Sequence, residues 1–170
     1  MYTKITPCFF LLAVIYPSFA GRYTCVEICG TAYYQGQPIP WDDSYYDPTS
    51  KTYKKLGSQI CLVCRFAFAA NATLQSAWSL CNSTGMQRGS VIVTSHVYFD
   101  TDRLERAHVR ANSSEFIDYI QSLLEAYVKN PSPLYPYYGQ ISYVRGSANR
   151  YQWDTAMLFL VVIGTYKNAL

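Results

Sequence analysis

Between Ser90 and Phe99 the side chains alternate with a period of two. Val91, Val93, Ser95, Val97 and Phe99 share one face, and Ile92, Thr94, His96 and Tyr98 share the other. Only an extended chain puts every second residue on the same side, so this stretch predicts a β-branched strand. The best helix lies a little further on, from about Glu115 to Lys129. Phe116, Ile120, Leu123 and Tyr127 fall on one face, widened by Ile117, Leu124 and Val128. Ser114 or Asn112 can cap its start, and Glu115 and Asp118 suit the positive end of the helix dipole. Asn130 and Pro131 stop it. A clear strand and a clear helix in a chain of 170 residues predict one α+β domain.

The N-terminus reads as a secretory signal over residues 1–20. Lys4 supplies the positive region, Pro7 to Tyr16 is nearly all apolar, and Ser18-Phe19-Ala20 offers the small residues of a cleavage site. The apolar run falls short of the about 20 residues that span a bilayer. A mature chain of residues 21–170 follows as a single secreted domain, with no membrane span expected. Loss of Lys4 lowers the formal charge from +3 to +2, which forces no nucleic-acid partner.

Secretion permits disulfides. Cys8 leaves with the signal, and Cys25, Cys29, Cys61, Cys64 and Cys81 remain. An odd count leaves at least one thiol outside an intrachain pair; two bridges are expected, and spacing does not say which. Cys61-Leu62-Val63-Cys64 has redox spacing, but it sits in an apolar stretch without a βαβ pattern, so membership of the disulfide framework is the expectation. One further Cys and two scattered His do not complete a zinc site, and neither a metal nor another cofactor is expected. Three sequons, at Asn71, Asn82 and Asn112, fit a secreted glycoprotein.

Residues 21–57 are rich in Tyr, Pro, Gly and Asp. They predict a short strand or hairpin around Tyr23 to Tyr34, then a long tyrosine-rich loop without helices or central strands. Such a loop is a recognition surface or is packed by its own aromatics. Ile60 to Leu80 settles on no period; a helix from about Ala72 to Leu80 and a strand near Gln59 to Phe68 are expected, with a loop from Asn82 to Gly89. Asp100 to Ala111 predicts a solvated helix or loop. Gly139 to Arg145 reads as a strand, Gly146 to Asn149 as a turn, and Ala156 to Ile163 as an apolar central strand.

His96 and His108 are the two near-neutral acid/bases, and no motif surrounds either. Arg103, Arg106 and Arg110 would share a helix face able to meet phosphate, or simply a solvated face.

Tyr23-Thr24-Cys25 stands almost at the mature N-terminus. The helix ending near Lys129 leads to Tyr135-Pro136-Tyr137-Tyr138, and Gln152-Trp153-Asp154 follows. In this the chain resembles the secreted effector candidates of powdery mildew fungi, which carry a Tyr/Phe/Trp-x-Cys motif after the signal. Many of those resemble small guanyl-specific fungal ribonucleases. The likeness covers roughly Ser113 to Leu160 plus the N-terminal motif. It implies one main helix packed on an antiparallel sheet, with residues 113–170 as the ribonuclease-like part. It also implies an RNA, ribosome or host-protein surface formed by Tyr135, Tyr137, Arg145, Arg150, Tyr151 and Trp153.

The family's catalytic His after Tyr-Pro is Tyr137 here, and its Glu before Trp is Gln152. An amide cannot accept a proton, and tyrosine's pKa near 10 suits no neutral base. The chain also ends 17 residues after Trp153, before the family's later strands. The resemblance therefore implies binding to host RNA, a ribosome or a host protein without catalysis. Two alternatives stand beside it. One is an active ribonuclease, which would need His96 or His108 beside an acid and an Arg in a cleft. The other is an extracellular structural glycoprotein.

Overall fold

The computed structural model describes residues 22–147. Along the chain run β1 (Tyr23–Tyr34), β2 (Gln37–Pro38), a 3-10 turn at Asp43–Tyr46, α1 (Lys51–Phe68) and α2 (Ala72–Ala77). Then come β3 (Trp78–Gln87), β4 (Ile92–Asp100), α3 (Thr101–Arg106), α4 (Ser114–Lys129) and β5 (Tyr137–Ser147). All pairings in the sheet are antiparallel. β1 lies between β4 and β5, β3 pairs with the far side of β4, and β2 is the short return arm of a hairpin with β1. That hairpin turns through Gln35 and Gly36, both at positive φ, which suits the right-handed twist of the strands.

β4 follows the expected alternation: Val93, Ser95, Val97 and Phe99 are fully buried, with half-buried residues between them. Val26 and Ile28 of β1 stand beside Val97 and Ser95 on the same face. All four described helices cover this face. Leu56, Ile60, Cys64 and Phe68 of α1 meet Phe116, Ile120 and Leu124 of α4 above it, and Leu74, Ala77 and Leu104 close one end. Within this core the Tyr138 hydroxyl donates to Ser95 Oγ at 2.8 Å.

α4 has the expected bounds, capped by Ser113, whose Oγ accepts from the Phe116 amide at 3.2 Å. Asn112 is not the cap, because it takes a positive φ of 68° in the turn before it. β5 follows α4 as expected and runs from Tyr137 through Ser147, two residues beyond Arg145 into the stretch read as a turn.

The N-terminal region departs from the sequence reading. Residues 21–57 are not mainly loop: β1 is a twelve-residue strand at the centre of the sheet, and α1 begins at Lys51. Among the described residues two long helices, not one, pack on the sheet. α1 replaces the strand expected near Gln59 to Phe68. Ser50 caps it, its Oγ accepting from the Tyr53 amide at 3.1 Å, and buried residues recur from Tyr53 through Leu56, Ile60, Val63 and Ala67. Gly57 sits where α1 presses on β3: a Cβ there would lie 2.9 Å from the Cβ of Ser83. One turn on, Cys61 bridges to Cys81 on β3. α2 stops at Ala77, and the strand that follows occupies most of the stretch expected to be a loop after Asn82. The registers are set by partners distant in sequence, which local composition does not reveal.

Cys64, three residues from Cys61, is a buried thiol of the core and not part of a bridge. Burial pushes its pKa up to about 12, which removes the thiolate that exchange chemistry needs. Cys25 and Cys29 lie four residues apart in one extended strand. At about 3.3 Å per residue they are too far apart to bridge each other. The signal residues, Cys8, Arg150, Tyr151, Trp153 and the apolar run Ala156 to Ile163 lie outside the described residues. No described helix is long and apolar enough to cross a membrane.

Candidate functional site

The second face of the sheet, turned away from the helices, is where polar side chains gather. β1 contributes Cys25, Glu27 and Cys29, and β4 contributes Thr94, His96 and Tyr98. Register brings Glu27 opposite His96 on one side and Arg145 on the other, and Asn82 of β3 opposite His96. One row thus crosses four strands: Asn82, His96, Glu27, Arg145. Strand spacing makes it about 14 Å long.

Glu27 is the hub. Its side chain is only 14% exposed. Oε1 accepts from Tyr143 OH at 2.6 Å and from Arg145 Nη2 at 2.7 Å, and Oε2 meets His96 Nε2 at 3.3 Å. A carboxylate only accepts, so the hydrogen of this last contact belongs to Nε2. The Tyr143 hydrogen bond is the main influence holding the Glu27 carboxyl below its ordinary range. Burial works against it, and His96 and Arg145 add to it. The same bond pushes the Tyr143 phenol up to about 12. Glu27 is therefore ionised, and Tyr143 remains a donor, at neutral pH.

The outer end of the row faces water. The Arg145 side chain is 63% exposed, and its guanidinium lies 4.8 Å from the centre of the Tyr143 ring, a cation–π stack. His96 meets the Tyr98 ring edge-on at 6.3 Å. Only Nη2 of Arg145 serves Glu27, so the other guanidinium hydrogens can meet an anion. Among the described residues no group of three or more His, Cys, Asp or Glu could hold a metal ion.

Of the three described residues expected at a binding surface, Tyr135, Tyr137 and Arg145, only Arg145 joins this cluster. Tyr135 is half-buried with its ring 6.0 Å from Phe66. Tyr137 is 7% exposed and leans on Tyr33. Both behave as packing residues. His108 is exposed after α3 at a positive φ of 59°, away from any acid on this face. Arg103 pairs with Asp100 at 3.3 Å and donates to the Ser76 carbonyl at 2.6 Å, so it ties α3 to α2 and does not await phosphate.

Asn71 caps α2 through its Oδ1 and donates to Tyr119 OH at 2.9 Å, whereas Asn82 and Asn112 are exposed. Glu27 and Tyr143 went unread in the sequence. The one available signal was a lone acid inside an apolar, β-branched run. A separate groove of about 470 Å³ opens between the β1–β2 hairpin, α1 and the segment before β5, lined by Tyr34, Ile39, Tyr45, Leu56, Leu134 and Pro136. Compared with protein-family models and with curated proteins, the chain matches none.

Proposed function

We propose that this protein is a secreted effector that binds host RNA on the polar face of its sheet without cleaving it. The observation that carries the reading is the exposed Arg145 guanidinium, oriented by Glu27 and stacked on Tyr143. A fixed, partly free guanidinium beside the exposed Tyr143 ring suits a phosphate and an unstacked base of a single strand. The secretory signal and the Tyr-x-Cys motif at Tyr23 to Cys25 support the effector part of the proposal.

The row holds part of what an active ribonuclease would require: an imidazole and an Arg on one acid, on an open sheet face and not in a cleft. Its geometry favours binding nonetheless. In-line cleavage of a phosphodiester needs a base and an acid on opposite sides of phosphorus. Glu27 and His96 touch each other, which leaves no place for phosphorus between them. A carboxylate held by three donors and depressed in pKa is also a weak base.

The test is one titration of single-stranded RNA against the purified protein across salt, with product analysis. Binding that weakens with salt and disappears on Arg145→Ala, without cleavage, is the expected result. Cleavage lost on His96→Ala would replace this reading with the enzyme. No binding at low salt would end the RNA reading. A second reading, docking of a host protein, has one observation in its favour: the apolar groove with Tyr34 and Leu134 exposed at its rim. Pull-down lost on Leu134→Asp but retained on Arg145→Ala would select it.

A further inference from the structure

The row across the polar face ends at Asn82, and Asn82 opens the sequon Asn82-Ser83-Thr84. Its side chain is exposed, and β3 pairs only with β4 among the described residues. It stands directly opposite His96 and shares its face. Two strand spacings, about 10 Å, separate it from Glu27. On the same face two residues away, Leu80 is 50% exposed, an apolar shelf for the apolar faces of sugar rings.

The other two sequons differ. The Asn71 amide already accepts from the Leu74 N–H and donates to Tyr119 OH, at the cap of α2. Asn112 lies in the turn before α4, off the sheet row.

We propose that Asn82 carries an N-linked glycan that lies over this face and limits access to His96, Glu27 and Arg145. The last step, control of RNA binding, rests on the reading given under Proposed function; the shielding does not. The attachment needs a lipid-pyrophosphate-linked oligosaccharide as donor. Asn82 Nδ2 forms a bond to the anomeric carbon, the bond from that carbon to the pyrophosphate oxygen breaks, and the lipid pyrophosphate leaves with the electron pair. The amide gives up one proton. Transfer takes place on the extended nascent chain, so the later strand conformation of β3 is no obstacle. In the folded protein the two innermost sugars are together about as long as the gap of about 10 Å between Asn82 and Glu27.

The experiment uses the full chain secreted from a eukaryotic host. Three forms are compared: wild type, Asn82→Gln, and folded wild type trimmed by endoglycosidase to a single sugar. Glycopeptide mass reads occupancy at Asn82. Carbethoxylation by diethyl pyrocarbonate reads the accessibility of His96, with His108 as internal control. The expected result is an occupied Asn82 and a His96 that reacts several-fold faster in the trimmed and Asn82→Gln forms, with His108 unchanged. RNA binding should tighten several-fold in parallel. An unoccupied Asn82, or equal His96 rates in all folded forms, overturns the proposal. Faster His96 reaction with no RNA binding in any form upholds the shielding and overturns the RNA reading instead. The trimmed form keeps the test decisive if Asn82→Gln does not fold.

Discussion

Replacing Glu27 by Gln should weaken the fold and tighten RNA binding, two effects of opposite sign from one atom change. The carboxylate accepts from Tyr143 at 2.6 Å and from Arg145 at 2.7 Å. Hydrogen bonds to a charged group contribute about 1.5–3 kcal/mol each, and neutral ones about half as much. Gln can still accept from Tyr143, but its share falls to the neutral value. Arg145 is mostly exposed, so water replaces much of its share. The net loss of stability at neutral pH should be about 1–2 kcal/mol.

The sign of the pH dependence follows from the depressed carboxyl. Its contribution is fully present above the unfolded value of about 4.3 and is lost as pH falls through the folded value. The gap between wild type and Glu27→Gln in urea denaturation should therefore close in acid. For binding, an RNA phosphate on Arg145 would sit about 5 Å from the Glu27 carboxylate, where like charges repel by about 1 kcal/mol even with water-like screening. Removing that charge should improve affinity about fivefold, read by fluorescence anisotropy at fixed low salt. A folded Glu27→Gln that binds RNA equally well or more weakly would refute the argument, because the phosphate then does not dock beside Glu27.

Three further outcomes follow from the packing. Replacing both Cys61 and Cys81 by Ser should lower stability by about 3 kcal/mol, since the bridge closes a loop with a sequence separation of 20; reductant should produce a similar shift in wild type and none in the double variant. Gly139→Ala should destabilise by about 1–3 kcal/mol, because its Cβ would run into the Tyr33 ring. Tyr33→Ala in the same chain should recover part of the loss, which a double-mutant cycle in denaturant measures. Tyr138→Phe should remove about 1 kcal/mol through the lost bond to Ser95, and adding Ser95→Ala should change little more, as a thermal-melt comparison of the three variants would read.

Some of this architecture was legible in the chain and some was not, for identifiable reasons. β4 was readable because one of its faces is buried and the other is half-exposed, so alternation survives in the sequence. α4 was readable because its stripe, cap and stop are all local. α1 was missed because its stripe begins at Tyr53, inside a stretch coloured by Pro, Gly and Tyr. It is also interrupted by Gly57, which is present for the sake of β3. β1 was underestimated because a central strand is defined by two neighbours, and nothing within Tyr23 to Tyr34 names them.

The candidate site divides in the same way. His96 drew notice as a residue type, because imidazole carries chemistry wherever it stands, and Arg145 came in with the ribonuclease resemblance. That they meet at Glu27 is a matter of register: His96 is 69 residues from Glu27 in sequence and Arg145 is 118. The sequence by itself determined the strand over Ser90 to Phe99, the helix over Glu115 to Lys129 and the α+β class, because hydrophobic period and end-capping act over a few residues. Only the tertiary structure decided that Tyr23 to Tyr34 is the centre of the sheet, that Cys61 finds Cys81, and that Asn82, His96, Glu27 and Arg145 form one row. Those follow from strand pairing and burial across distant segments, and a slip of one residue in any of these strands would turn its own member of the row toward the core.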